Sequence, residues 1–290
     1  MLPEDRYIQL LKDSVLNEPY IENEARFLYI FSSMATGKPV DPGTVRNIGD
    51  ALPQLVAAVQ AARQDGRPWW IVNVTDADGS SKSLDLRNLC EFSHTMVGRK
   101  RLDNIEHCVK AVHRDGVPGD FAEAGVWRGG ASIFMKGCMA ALGMSGRKLW
   151  VADSFEGLPV PTLPQDEGYD FSAAKVPILA ISLEEVRRNF EHYRLLDDDV
   201  VFLKGWFRDT LAPAPIDRLA VLRLDGDLYE STMDGLTALY HKVSPGGFVI
   251  IDDYGDFEPC RRAVDEFRAA HSITDPLTTI DWAGAFWRKS

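Results

Sequence analysis

The sequence predicts an α/β fold, with a mostly parallel sheet that has helices on both faces and a mainly helical N-terminal region before it. From Arg101 onward, short apolar segments alternate with amphipathic ones, which indicates parallel strands joined by helices. The segments VLRL and GGFVII are almost wholly apolar, as strands covered on both faces are. A glycine-rich turn also follows one apolar segment directly, as in nucleotide-binding folds.

The alternation from Arg101 to the C-terminus predicts one domain over residues 101–290. A helical stripe opens it, formed by Leu102, Ile105, Val109 and Val112. Strands are expected near residues 120–125, 148–152, 200–204, 219–224 and 247–251. Helices are expected near residues 130–142, 182–193, 231–243 and 259–271. Residues 277–288 predict one or two further strands in an edge hairpin.

Residues 1–100 predict a separate, mainly helical cap. A helix over residues 4–17 follows from the spacing of Tyr7, Leu10, Leu11 and Val15. Residues 21–66 predict further helices that are interrupted by Pro39, Pro42 and Gly43. The short apolar run 69–74 predicts one strand, whereas the polar tract DADGSSKS at 76–83 predicts a surface loop.

Composition excludes several classes of partner. The net charge of -11 and the lack of a long Lys/Arg run argue against nucleic acid. No stretch of ~18 uncharged apolar residues is present, so no membrane partner is expected. Acidic residues stand where a secretory signal would be basic and apolar, which predicts a cytoplasmic protein. Cys90, Cys108, Cys138 and Cys260 are far apart and are expected to be buried free thiols.

The segment DFAEAGVWRGGAS predicts a strand, a tight turn and a helix start. Glu123 ends the strand, and Gly125 lets the backbone approach a ligand near the free N–H groups of the helix. Such a turn serves dinucleotides as well as S-adenosylmethionine, although Trp127 stands where the dinucleotide fingerprint has its second glycine. The turn by itself therefore leaves two cofactor classes open.

A second acid, Asp153, follows the next apolar strand about 30 residues later, where such folds deliver a carboxylate to ribose hydroxyls. The position of Glu123 favours the methyl donor over a nicotinamide cofactor. An acid at that point would repel a pyrophosphate, but it can bind the positively charged amino acid part of S-adenosylmethionine. The two acids therefore predict an S-adenosylmethionine site.

Three more acids follow two other apolar strands. Asp225 ends LAVLRL, and Asp252 with Asp253 ends GGFVII. If these strands are neighbours, ~4.8 Å apart, their carboxyl ends bring the acids together, and such close carboxylates call for a cation. Hard oxygen ligands with open positions suit Mg²⁺. Helix N-capping is the alternative function for an acid here, most of all for Asp227 ahead of Ser231.

Several of these segments resemble the macrocin O-methyltransferase family, bacterial enzymes that methylate sugar hydroxyls on glycosylated natural products such as antibiotics. The resemblance spans residues 94–287, and it is carried by LDNIEHCVKAVHRDGVPGDFAEAGVWRGGASIFM, VADSFEGLP, LKGWFRDTL, LRLDGDLYEST and GGFVIIDDY. It implies a class I methyltransferase fold, Rossmann-like, with a seven-stranded sheet. It also implies S-adenosylmethionine and Mg²⁺ as cofactors and a small-molecule glycoside as the acceptor.

The resemblance also implies roles for individual residues. Mg²⁺ would be held by Asp225, Asp252 and Asp253, and Asp225 would also be the general base. The methionine end of the cofactor would be lined by Glu123, Ala124, Gly125, Val126 and Trp127. The ribose would meet Asp153 and Ser154, and the adenine would lie near Gly205 and Trp206. Thr95 and Met96 match a segment that closes over the cofactor.

Some features stay open at the level of sequence. A catechol-type O-methyltransferase, a nicotinamide-dependent dehydrogenase and a non-catalytic partner are the competing functions, and the complete set of acids argues against the last. His94 is weighed as an aid to deprotonation against a structural residue. The insertion 159–177 is favoured as a lid over a plain surface loop. Residues 40–90 match no part of the family pattern, and a homo-oligomer, a dimer or higher, is expected.

Overall fold

The structure, a computed structural model, describes residues 2–65, 71–75, 81–85 and 92–290, with only the backbone at residues 65, 71–75 and 81–85. The chain divides into two compact units. One contains the stretch up to Gln9 together with Lys100–Ser290, and the other is Leu10–Arg99.

The helices and strands follow one another along the chain with these bounds. The described helices are α1 Pro3–Val15, α2 Ile21–Ala35, α3 Pro42–Arg46, α4 Ile48–Ala51, α5 Pro53–Asp65, α6 Arg99–Arg114, α7 Gly130–Ala141, α8 Leu183–His192, α9 Phe207–Thr210, α10 Tyr229–Leu239 and α11 Glu258–Ala270. The described strands are β1 Ile71–Thr75, β2 Ser81–Asp85, β3 Asp120–Ala124, β4 Leu149–Asp153, β5 Val200–Lys204, β6 Leu219–Leu224, β7 Val243–Ile251, β8 Thr278–Thr279 and β9 Ala285–Arg288.

The larger unit is built on a seven-stranded sheet in the order β5-β4-β3-β6-β7-β9-β8. The first five strands are parallel, and β9 runs antiparallel to both β7 and β8. The chain moves outward from β3 to β5 and then returns to β6, so the strand order reverses between β3 and β6. Ligands bind at such a switch point in α/β sheets. The predicted class I fold and its edge hairpin are confirmed.

Apolar faces of the helices hold this sheet together. Leu222 in β6, Leu236 in α10 and Val264 in α11 are fully buried in one core cluster. Each such side chain contributes about 1.5–3 kcal/mol relative to an exposed one. The predicted stripe of α6 is also confirmed, because its four members are all fully buried, namely Leu102, Ile105, Val109 and Val112.

The smaller unit contains α2 to α5 and an antiparallel hairpin of β1 and β2. The helices enclose a small core of Ala25, Leu28, Ile48 and Val59. In the hairpin, Ile71 pairs with Asp85 and Thr75 with Ser81. The loop predicted for residues 76–83 is wrong over its last three residues, because pairing with β1 makes a strand of a serine-rich segment whose composition favours a turn. Residues 69, 70 and 76–80 lie outside the described residues.

Helix α1 forms as predicted, but a different face is buried. Ile8, Leu11 and Val15 are buried, whereas Tyr7 is 40% exposed and Leu10 is 62% exposed. The apolar residues of this helix are compatible with two overlapping faces, and tertiary packing selects the i, i+3, i+7 set.

Two further sequence expectations concern cysteines and membrane spans. Cys108, Cys138 and Cys260 are buried and form no disulfide with one another, as predicted, and Cys90 lies outside the described residues. Among the described residues, no helix is both long enough and apolar enough to cross a membrane.

Candidate active site

The predicted site residues of the larger unit lie at or just after the carboxyl ends of its parallel strands. The residue that follows each strand donates its backbone N–H to the end of the neighbouring strand, and these bonds are Gly205 to Asp153 at 2.9 Å, Gly125 to Ala152 at 2.9 Å, Asp225 to Ala124 at 2.8 Å and Asp252 to Leu224 at 2.9 Å. The hydrogen bonds extend the sheet by one residue at this edge. They bring the glycine turn and the acids of β6 and β7 together at the switch point.

Gly125 occupies a position that no other residue can take. Its φ is 89°, and a Cβ atom there would lie 1.7 Å from the carbonyl oxygen of Asp225. Gly129 has a φ of 84° and precedes α7, so the turn ends at a helix N-terminus. The glycine turn is therefore packed directly against the residue that opens the acid site.

Asp153 organises this turn. Its Oδ2 accepts a hydrogen bond from the Val126 N–H at 2.8 Å, and its Oδ1 accepts one from the Phe155 N–H at 2.7 Å. Burial raises the pKa of Asp153, and these N–H groups oppose the rise. Ser154 stabilises the following turn, because its hydroxyl donates to the Gly157 carbonyl at 2.6 Å. The structure thus supplies a structural role for both residues, and their predicted ribose contacts stay predictions.

Three other predicted cofactor residues lie next to these. The Trp127 indole N–H donates to the Ile178 carbonyl at 2.9 Å. Gly205 has a φ of 138°, and a Cβ atom there would lie 2.8 Å from Thr210 Cγ2. Trp206 immediately precedes α9, with its carbonyl accepting from the Thr210 hydroxyl at 3.0 Å. The positions at the ends of β3 and β5 are therefore held by local contacts.

Thr95 and Met96 belong to the smaller unit, where Thr95 is buried. The Thr95 carbonyl accepts from the Ser93 hydroxyl at 2.6 Å. His94 in the same segment donates its backbone N–H to Val15 at 2.9 Å. A cofactor role for Thr95 and Met96 and a catalytic role for His94 stay predictions.

Glu123 is paired with an arginine that the sequence analysis overlooked. The carboxylate is 1% exposed, accepts from the Ser132 hydroxyl and contacts the guanidinium of Arg223. The two residues are register partners on β3 and β6. Burial raises the pKa of Glu123 to about 7, because the loss of hydration outweighs the attraction of Arg223.

Arg223 connects Glu123 to the acids of the second site. It is 1% exposed in the centre of the sheet. Its guanidinium lies 2.9 Å from Asp225 Oδ2 and 2.5 Å from Asp252 Oδ1. The guanidinium of Arg223 therefore contacts carboxylates of both predicted sites, the cofactor site and the metal site. The signal in the sequence is the one charged residue within the apolar strand LAVLRL.

Asp252 lies between two arginines. Besides Arg223, it contacts the guanidinium of Arg101, which is 6% exposed. Arg101 Nε also lies 3.1 Å from Asp281 Oδ2, and Asp281 in turn accepts from the backbone N–H of Gly284 at 2.8 Å. These cations lower the pKa of Asp252 against the effect of burial. Its predicted role as a metal ligand stays a prediction.

Among the described residues, Asp225, Asp227 and Asp253 form a group of acids that could hold a metal ion. One carboxylate oxygen from each lies within 4.8 Å of the other two. Desolvation and neighbouring carboxylates raise the pKa of Asp227 and Asp253 well above the ordinary value. Desolvation also raises the pKa of Asp225, to about 6. This group of three acids is called the acid cluster below.

The prediction that Asp227 caps the following helix is wrong. Helix α10 begins at Tyr229, and its first two N–H groups, those of Tyr229 and Glu230, donate to the carboxylate of Asp166 at 2.6 and 3.1 Å. Asp227 has a φ of 56° instead, which is the left-handed conformation that aspartate tolerates better than most residues. An acid 63 residues earlier in the chain caps the helix, which local sequence cannot reveal.

The raised pKa of Glu123 predicts a pH-dependent stability. Between pH 4.5 and about 7, the folded protein holds a proton on Glu123 that the unfolded chain releases. The free energy of unfolding should therefore fall as pH rises through this range, and Glu123→Gln should flatten the fall. Urea unfolding of cofactor-free protein at several pH values in this range measures the free energy of unfolding of both proteins. Identical slopes in the two proteins would contradict the raised pKa.

Comparison with known proteins places this arrangement in a family. The family model described as Macrocin-O-methyltransferase (TylF) matches residues 4–289. The chain belongs to the macrocin O-methyltransferase family. It is therefore an S-adenosylmethionine-dependent O-methyltransferase, as the sequence analysis predicted.

Individual O-methyltransferases are similar to this chain over most of its length. A tetracenomycin 4'-O-methyltransferase of Streptomyces olivaceus, whose named substrate carries a 2,3-dimethoxy-alpha-L-rhamnosyl group, is 50% identical over 81% of this chain and 86% of its own length. The mycinamicin III 3''-O-methyltransferase of Micromonospora griseorubida is 52% identical over 68% of this chain and 79% of its own. The solved O-methyltransferase NovP is 41% identical, with a TM-score of 0.76 over 99% of both chains.

Proposed function

We propose that this enzyme methylates a sugar hydroxyl of a glycosylated natural product and that it uses Mg²⁺ to do so. The observation that carries the proposal is the contact between its two half-sites. The glycine turn packs against the backbone of Asp225, the first member of the acid cluster. A methyl donor in the turn and an acceptor at the cluster would therefore be neighbours. The rhamnosyl group in the name of the Streptomyces olivaceus relative supports a sugar as the acceptor.

The acid cluster fits a divalent cation. Three carboxylates within 4.8 Å of one another repel, and two of them have pKa values well above normal in the cation-free protein. Oxygen ligands of this kind suit Mg²⁺. We assign the cation to Asp225, Asp227 and Asp253. In this assignment Asp227 replaces Asp252, which the sequence predicted as the third ligand. The charge of Asp252 is already balanced by Arg101 and Arg223.

The protein's own residues divide the remaining work. When bound, S-adenosylmethionine supplies an electrophilic methyl group, and the cation supplies charge that makes an adjoining hydroxyl more acidic. Asp225, whose side chain is 28% exposed, accepts the hydroxyl proton on a carboxylate oxygen. Arg223, on strand β6, forms an ion pair with the same carboxylate and so fixes its position. Gly125 allows close approach of the cofactor's amino acid part, and Glu123 is held beneath this turn by Ser132 and Arg223.

The test of function is a methylation screen. Purified enzyme, S-adenosylmethionine and Mg²⁺ are incubated with mycinamicin III, with the rhamnosylated tetracenomycin and with their sugar-free counterparts. We expect a mass gain of one methyl group on glycosides alone, with loss of turnover in EDTA and recovery with Mg²⁺. Methylation of catechols but not of glycosides would favour the catechol-type alternative. Full turnover after chelation would exclude the cation from the proposal.

The proposed ligand set predicts how single acids contribute to cation binding. Asp227→Asn removes a charged ligand and should weaken Mn²⁺ affinity at least ~10-fold, measured by titration calorimetry. Asp252→Asn should weaken it less, because Asp252 already faces two arginines. Asp198→Asn is the control, since it makes the same change in an exposed acid before β5, at the opposite end of the strands. The reverse order of Asp227→Asn and Asp252→Asn would restore Asp252 as the third ligand.

A further inference from the structure

The segment between β4 and α8 is held in place at a buried acid. Asp166 is 0% exposed and forms part of a short 3-10 helix, Pro164–Asp166. Its two carboxylate oxygens accept the first two N–H groups of α10, those of Tyr229 and Glu230. Hydrogen bonds and the positive end of the helix dipole both stabilise a negative charge at that place. Residues 159–178 are called the strap below.

Helix α10 begins directly after the acid cluster. Asp225 and Asp227 lie four and two positions before Tyr229, so an acid that holds the start of α10 also holds the strap next to the cluster. A second bond joins the same elements, since the Thr162 hydroxyl donates to Glu230 Oε2 at 2.9 Å. The strap is thereby attached to the helix that directly follows two of the three acids.

The other end of the strap is attached to the glycine turn. The Trp127 indole donates to the carbonyl of Ile178, the last residue of the strap, at 2.9 Å. The strap therefore runs from the half-site of the methyl donor to the acid cluster, with a fixed contact at each end. These contacts favour a positioned wall over the plain surface loop that the sequence left open.

Between these contacts, the strap carries two aromatic side chains that pack against Phe257, four residues after Asp253 of the cluster. The rings of Tyr169 and Phe171 lie 6.2 and 5.3 Å from the ring of Phe257, and all three side chains are half-buried. Phe257 donates its backbone N–H to the carbonyl of Asp253 at 3.0 Å. Tyr169 donates its own N–H to the Asp166 carbonyl at 3.1 Å. The position of this aromatic wall thus depends on the residue that caps α10.

We propose that Asp166 is a positioning residue for the acceptor. By capping α10 it holds the strap so that the aromatic wall receives an apolar part of the glycoside while the reacting hydroxyl reaches the acid cluster. Concave sites use aromatic side chains in this way, with a few polar groups to set orientation. The inference rests on the proposed function, because it takes a glycoside as the molecule bound beside the acids.

The test compares two substitutions at Asp166 with a matched control. Asp166→Ala removes both acceptor oxygens and should raise KM for mycinamicin III or the rhamnosylated tetracenomycin at least ~10-fold, with the Kd of S-adenosylmethionine within about twofold. Asp166→Asn retains one capping oxygen and should restore KM to within about threefold of the wild type. Ser182→Ala removes the N-cap of α8, whose hydroxyl accepts from the Glu185 N–H at 3.2 Å, and should leave KM unchanged.

A second measurement does not depend on turnover. Hydrogen exchange of the strap amides in the whole enzyme should become at least ~10-fold faster in Asp166→Ala and stay unchanged in Ser182→Ala. Unchanged exchange, or unchanged KM for the glycoside, in Asp166→Ala overturns the proposal. A wild-type enzyme that methylates neither glycoside overturns the proposed function instead. In that event the exchange measurement alone decides whether Asp166 holds the strap.

Discussion

Replacement of Asp225 by asparagine is expected to lower kcat at least ~10²-fold while the affinity for S-adenosylmethionine stays near that of the wild type. Asparagine keeps the size of the side chain and one oxygen that can coordinate a cation, but it cannot accept a proton. Cation binding should be weakened and still detectable. Single-turnover kinetics with calorimetric titration of cofactor and Mn²⁺ separate these effects.

The pH profile distinguishes a base from a structural acid. The pKa of Asp225 is about 6 in the cation-free protein, and added positive charge lowers it. Wild-type turnover should therefore rise with pH on the acid side as the carboxylate loses its proton, and Asp225→Asn should lack that limb. Asp198→Asn, an exposed acid of the same type, is expected to keep it. Wild-type turnover in Asp225→Asn would leave Asp225 structural and would pass the base role to another group, such as His94.

Replacement of Arg223 by methionine is expected to lower the free energy of unfolding by about 3–5 kcal/mol. The guanidinium is 1% exposed and contacts three carboxylates, those of Glu123, Asp225 and Asp252. Methionine fills a similar volume but leaves the buried acids without the guanidinium that balances their charge. The stability is therefore lost because buried charge is uncompensated, and not because a cavity is formed. Urea unfolding of the variant at neutral pH gives the change directly.

Two further variants show whether the effect is electrostatic. Arg223→Met with Asp252→Asn removes one of the stranded charges, because the lowered pKa of Asp252 keeps its carboxylate ionised at neutral pH. The double variant should recover part of the lost stability, which a double-mutant cycle measures. Arg218→Met makes the same substitution at an exposed residue just before β6, and it should cost less than about 1 kcal/mol. An Arg223→Met protein as stable as Arg218→Met would mean that the buried network contributes nothing to stability.

Local patterns were enough to predict the main elements of the larger unit. The strands 200–204 and 219–224 appear with the predicted bounds, because each is a short apolar run between turn residues. The hairpin β1–β2 shows where such patterns fail. Ser81–Asp85 has the composition of a loop, and only its pairing with Ile71–Thr75 makes it a strand.

For the acids of the site, the sequence likewise predicted the location but not the contacts. Their positions after apolar strands predicted one common edge, and the structure places Gly125, Asp225 and Asp252 there. Which oxygens meet could not be predicted, because side-chain direction depends on neighbours from distant parts of the chain. Arg101 is 151 residues away from Asp252, and Asp166 is 63 residues away from Tyr229.

The sequence by itself therefore determined the class of fold, the edge of the sheet that carries the site and the family, since each depends on residue order and spacing along the strands. Only the tertiary structure decided that Arg223 joins the two half-sites, that Asp227 belongs to the acid cluster and that Asp166 caps α10. The physical reason is the cost of burial. A buried charge must find a partner, and that partner is chosen by proximity in space rather than by proximity in sequence.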